Sequence, residues 1–100
     1  TKGDIMHIMG EDLADGDYTG EVYASEWDVY NYTGDDSKLT FKGTDLVVEY
    51  AVIGGEDIEW ETVDGSFTAR DGKDYLIRVG LDTKFAKNES EDLKFTVTIG

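Results

Sequence analysis

The chain has no cysteine, no proline and a single histidine among its 100 residues. Without Cys there is no disulfide, no thiolate nucleophile and no cysteine-based zinc site. His7 is the one imidazole on offer as a general base, and no G-x-S-x-G turn presents a serine to it. Basic residues are scarce as well: 9 Lys and Arg stand against 23 Asp and Glu, for a net charge of −14. Such a field repels phosphate backbones and anionic headgroups, which argues against nucleic acid and membrane surfaces as partners. No apolar run approaches the roughly 20 residues of a membrane-spanning helix, so membrane insertion is not expected. No signal peptide is visible, and a chain that begins at Thr1 without Met reads as a mature fragment or excised module. Lack of Cys fits an exported bacterial protein.

What is present is alternation. Leu46, Val48, Tyr50 and Val52, then Tyr75, Ile77, Val79 and Leu81, then Leu93, Phe95, Val97 and Ile99 place an apolar residue at every second position. That period turns one face inward and leaves residues such as Glu49, Arg78 and Lys94 facing out. Shorter runs rich in β-branched and aromatic residues predict further strands over 17–24, 26–32, 38–42, 57–62 and 66–69. The stretch Asp4 to Ala14 fits either a helix face (Ile5, Met9, Leu13) or a strand face (Ile5, His7, Met9). Gly10 weakens the helix, so an edge strand is expected. Gly34-Asp35, Gly43-Thr44, Gly54-Gly55, Asp64-Gly65 and Asp71-Gly72 supply turns between the runs. The expectation is one all-β domain over residues 1–100, an antiparallel β-sandwich of seven to nine strands, immunoglobulin-like or jelly-roll, monomeric as an isolated module.

Two constellations offer binding chemistry. Residues 15–26 match the spacing of a twelve-residue calcium loop: Asp15, Asp17 and Thr19 at the early ligand positions, Gly20 at the sharp turn, Glu21 at the seventh position and Glu26 at the bidentate one. A hard cation needs such converging oxygens, so Ca²⁺ is a candidate ligand and no other cofactor is expected. Against it, Tyr18, Gly20, Val22 and Ala24 alternate as in a strand. The second constellation is aromatic. Trp27, Tyr30 and Tyr32 lie among Asp28, Asn31 and Asp35, and exposed rings flanked by amides and carboxylates make a carbohydrate-binding face. Trp and Tyr in a sandwich are more often core. The 23 carboxylates make any catalytic pair uninformative, and the protein is expected not to be an enzyme.

The last forty residues resemble the immunoglobulin-like modules repeated in surface proteins of Gram-positive bacteria. The matching residues are Trp60, then Phe67, Ala69, Gly72, Lys73 and Tyr75 (an F-x-A-x-G-K-x-Y pattern with Asp71 inserted), then Ile77, Val79, Leu81, Phe85, Val97 and Gly100. A second likeness, to small jelly-roll modules that follow the catalytic domains of secreted peptidases, rests on Trp27-Asp28-x-Tyr30 and on Gly72-x-x-Tyr75 to Val79. Both imply a non-catalytic extracellular or cell-surface module of a bacterium. The function expected from this resemblance is that of a structural or adhesive spacer whose partner is an unknown surface protein or glycan. Carbohydrate binding through Trp27, Tyr30 and Tyr32, and calcium binding through the 11–26 acidic stretch, are the alternatives.

Overall fold

A computed structural model describes residues 3–100. Nine strands follow in order: β1 Ile5–Asp12, β2 Gly16–Tyr23, β3 Glu26–Thr33, β4 Ser37–Lys42, β5 Leu46–Ile53, β6 Glu61–Thr62, β7 Ser66–Ala69, β8 Asp74–Leu81 and β9 Ser90–Ile99. They form a five-stranded sheet in the order β1-β3-β8-β5-β6 and a four-stranded sheet in the order β2-β9-β4-β7. The pairing is nested: β5 with β6, β4 with β7, β3 with β8 and β2 with β9, all antiparallel. A long hairpin rolled up on itself produces this nesting. Lateral pairs β4–β9 and β5–β8 then close the roll into two packed sheets. Of the two architectures the sequence left open, this is the jelly roll.

The alternation read from the sequence is what fills the interior. Val48 on β5, Ile77 and Val79 on β8, and Leu93, Phe95 and Val97 on β9 belong to one buried cluster with Val22 of β2 and Leu39 of β4. Two aromatic groups brace it. Tyr18 stacks on Phe95 at 5.0 Å with Tyr30 edge-on, and Tyr50 stacks on Phe67 at 4.3 Å with Tyr75 edge-on. The second group spans both sheets, since Tyr50 belongs to β5 and Phe67 to β7. Offset and edge-to-face contacts of this kind contribute about 1 kcal/mol each beyond area burial. The polar ends are satisfied: the Arg70 N–H donates to the Tyr75 hydroxyl at 2.8 Å, and the Ala14 N–H donates to that of Tyr18 at 2.9 Å.

Two elements differ from expectation. Only Glu61–Thr62 of the expected 57–62 strand pairs with β5; residues 54–60 form a loop that carries Trp60 onto the outer face of the five-stranded sheet. β1 is the edge strand foreseen, yet it pairs parallel to β3, with Ile5 opposite Glu26 and Ile8 opposite Val29. It lies outside the nested eight-strand roll. Because one sheet has five strands and the other four, β1 has no strand facing it, and all eight of its residues are exposed.

Candidate functional site

The calcium-loop spacing does not fall on a loop. Asp17, Thr19 and Glu21 lie on strand β2, where the rise of roughly 3.3 Å per residue spreads alternate side chains along one face rather than around a point. Each carboxylate is engaged locally. Asp15 accepts the Ile99 N–H at 2.6 Å, Asp17 the Thr96 hydroxyl at 2.7 Å and Glu21 the Ser90 hydroxyl at 3.0 Å. Glu26 opens β3, accepting the Tyr23 N–H at 2.8 Å and bonding His7. Among the described residues no group of three His, Cys, Asp or Glu converges to hold a metal ion. The strand alternation of Tyr18, Gly20 and Val22, already visible in the sequence, outweighed the spacing.

The expected aromatic face is buried. Tyr30 and Tyr32 project into the core, and Trp27, on the other face of β3, is only 2% exposed. Burial, reinforced by the negative charge of Asp28, pushes the Tyr30 hydroxyl up to about 12. Trp27 is covered because its indole N–H donates to the Gly3 carbonyl at 2.8 Å while Arg78 lies over its ring. The Arg78 guanidinium carbon sits 4.3 Å from the Trp27 ring centre and 4.2 Å from that of Trp60. Its Nε donates to Glu49 at 2.8 Å, whereas Nη1, which has no hydrogen bond among the described residues, faces Asp4 at 3.6 Å. Trp27, Arg78, Glu49 and Asp4 line an outer groove of about 500 Å³. With three carboxylates around one arginine, counting Asp82 on its rim, this groove is net negative, a brace for the sheet rather than an anion site.

The surface that stands out chemically is the overhanging edge beside this brace. Ile8 is 71% exposed and Ile5 55%, and Met6 and Met9 are exposed with them. Acidic residues surround them: Asp4, Glu11 and Asp12 along the chain, and Glu26 at the start of β3. His7 Nε2 meets Glu26 Oε2 at 2.6 Å, tying the overhang to the sheet. That hydrogen bond, with burial opposing it and the charges of Glu26 and Asp28 adding to it, raises the His7 pKa above the ordinary 6.5. Asp28, turned inward behind it, is raised by burial, with the His7 charge acting in the opposite direction. A raised histidine pKa means that the contact contributes fully below pH 6.5 and is lost as pH rises through the folded value. An NMR titration of the His7 ring should therefore show a midpoint above 6.5, and Glu26→Gln should return it towards that value. A wild-type midpoint at or below 6.5 would show that the ion pair does not form in solution.

The apolar residues of β1 were recognised in the sequence as strand-formers and not as a surface. The available signal was that Ile5 and Met9 fall on one alternating set while Met6 and Ile8 fall on the other.

No protein-family model matches the sequence, and comparison with curated proteins finds no match. Solved structures do share the fold. The periplasmic inhibitor of g-type lysozyme PliG from Salmonella Typhimurium superposes with a TM-score of 0.61 at 15% identity, over 97% of this chain and 99% of that one. A mutant of the Escherichia coli PliG superposes equally well at 16% identity, over 97% and 100% of the two chains. The Aeromonas hydrophila PliG reaches 0.52 at 14% identity over the full length of both. At these identities the likeness establishes the fold, a β-sandwich matched end to end. That the proteins sharing it throughout are enzyme inhibitors overturns the expected structural or adhesive spacer with its surface-protein or glycan partner. It also sets aside the carbohydrate-binding and calcium-binding alternatives. Burial of Trp27, Tyr30 and Tyr32, and the strand geometry of residues 17–21, supply the physical reasons.

Proposed function

We propose that the chain is a protein inhibitor of a lysozyme of the g type, acting by binding rather than by catalysis, on the outer side of a bacterial inner membrane. The observation that carries this reading is the end-to-end fold agreement with three periplasmic inhibitors of that enzyme class. Charge supports it. A chain of −14 attracts a partner of positive net charge, raises the rate of encounter and disfavours anionic competitors. The titratable groups fit a binder as well, since the one histidine is committed to Glu26 on an open strand rather than set in a cleft. The periplasmic setting of the three inhibitors agrees with the extracytoplasmic location inferred from the absence of Cys.

In a lysis assay, a g-type lysozyme of positive net charge should lose its activity on bacterial cell walls as the chain is added. The loss should saturate near one chain per enzyme. Lysis that continues undiminished at a large molar excess would exclude the reading.

A further inference from the structure

The jelly roll has four edge strands, and three are protected. β6 and β7 are short, at 2 and 4 residues. β2 is long but presents Asp17, Thr19 and Glu21 to solvent. Charged side chains and short length are the usual guards against pairing with another chain. β1 spans 8 residues, and its regular part, Ile5-Met6-His7-Ile8, contains no Lys, Arg, Pro or carboxylate and has as its one titratable side chain a histidine already paired with Glu26.

The interior does not explain these residues. None of β1 enters the buried cluster, and the mismatch of five strands over four leaves both faces of the strand bare. Nor is the strand loose. Ile5 N–H donates to the Ser25 carbonyl, Trp27 holds the Gly3 carbonyl, His7 is paired with Glu26, and Leu13 N–H donates to the Asn31 carbonyl at the far end. Main-chain groups alternate in direction along a strand. With Ile5 bonded towards β3, the N–H and C=O of Met6 and Ile8 therefore point to the open edge. Beyond Ile8 the register shifts, and Gly10 at φ 74 turns the chain out of the ladder. The result is a short, rigid, apolar template ending in a bulge.

We infer that the free edge of β1 from Ile5 to Ile8 is the docking surface for the target enzyme, receiving an extended segment that carries lysine or arginine. This rests on the inhibitor reading above and assigns its contact. An added strand would bond the main chain of Met6 and Ile8 and rest apolar side chains on Ile5, Met6 and Ile8. Its basic residues would meet Asp4, Glu11 and Asp12 at the two ends. A second copy of this chain is a poor occupant. Two-fold antiparallel pairing through the outward main chain of Met6 and Ile8 centres on His7 and lays Asp4 of each copy opposite Gly10, beside Glu11 and Asp12 of the other, and crowding like charges across strands destabilises the pair. Each copy also brings −14. Pre-organisation by the Gly3, Ser25 and Glu26 contacts lowers the ordering cost of such docking.

The test compares wild type, Ile8→Lys and Ile53→Lys in the lysis assay, with hydrogen exchange of the wild-type complex. Ile53 is also exposed and lies on β5, across β3 and β8 from β1, so it receives the same chemical change at a distant place. Ile8→Lys should weaken inhibition by about tenfold or more, as loss of an interface anchor does. Ile53→Lys should match wild type, and all three should melt together. The Met6 and Ile8 amides, fast to exchange in the free chain, should become slow in the complex. If wild type inhibits, Ile8→Lys inhibits equally and those amides stay fast, the edge is not the contact and the inhibitor reading stands without it. If wild type fails to inhibit, that reading falls and this inference falls with it.

Discussion

Replacing Trp27 by alanine is expected to destabilise the protein by about 4 kcal/mol, in the range for truncating a fully buried tryptophan. For a domain of this size that lowers the melting temperature by roughly 20 °C. Three contacts vanish together. The indole is buried on the outer face of the five-stranded sheet, it carries one side of the Arg78 guanidinium, and its N–H is the donor that holds Gly3 against the sheet. Arg78 and Glu49 would remain as a pair with half of their apolar cover removed, so the sheet loses its brace as well as buried area. Thermal and urea unfolding followed by circular dichroism measure the loss. A change below about 1 kcal/mol would contradict the burial of Trp27 and its place in the brace.

The second large effect is at a glycine whose role is close approach. A β-carbon on Gly34 would lie 1.9 Å from the Arg70 carbonyl oxygen and 2.7 Å from its carbon. Both are backbone atoms, which have no rotamer with which to move aside. Here the β3–β4 and β7–β8 connections are laced together. Gly34 N–H donates to the Lys73 carbonyl and Asp36 N–H to that of Ala69, each at 2.8 Å, while Asp71 N–H donates to the Asp36 carboxylate at 3.0 Å. Gly34→Ala must push the two connections apart and break some of these bonds, at a cost of about 3 kcal/mol, the upper part of the overpacking range. Gly55→Ala is the control, since its nearest contact would be an ordinary 3.5 Å. Equal stability of the two variants would contradict the packing of these turns.

Most of the roll was legible because it rests on local pattern. Tyr75, Ile77, Val79 and Leu81 alternate without interruption and became the inner face of β8; Leu93, Phe95 and Val97 did the same on β9. What escaped the sequence depends on long-range counting. Whether β1 is covered turns on how many strands each sheet acquires, a property of the whole chain that no window around Ile5 contains. Trp60 misled for a related reason. Ile58 and Trp60 alternate like a strand, but the ring is claimed by Arg78, 18 positions later, and the segment became a loop. Residues 15–26 show a spacing defeated by its context. Oxygen-bearing side chains at calcium-loop intervals need a coiled backbone to converge, and the pairing of Gly16–Tyr23 along β9 kept that backbone extended. The same extension set Tyr18 and Val22 inward, which favoured the strand over the loop.

The claim that this acidic sandwich works by holding a lysozyme is tested most directly by calorimetric titration of a g-type lysozyme of positive net charge with the chain, at low and at high salt. The account predicts a saturable one-to-one complex whose association is weakened as salt screens the −14 charge, with a Debye length falling from about 10 Å at 0.1 M to about 3 Å at 1 M. No heat of binding at any ionic strength, from a chain that is folded by circular dichroism, would contradict it.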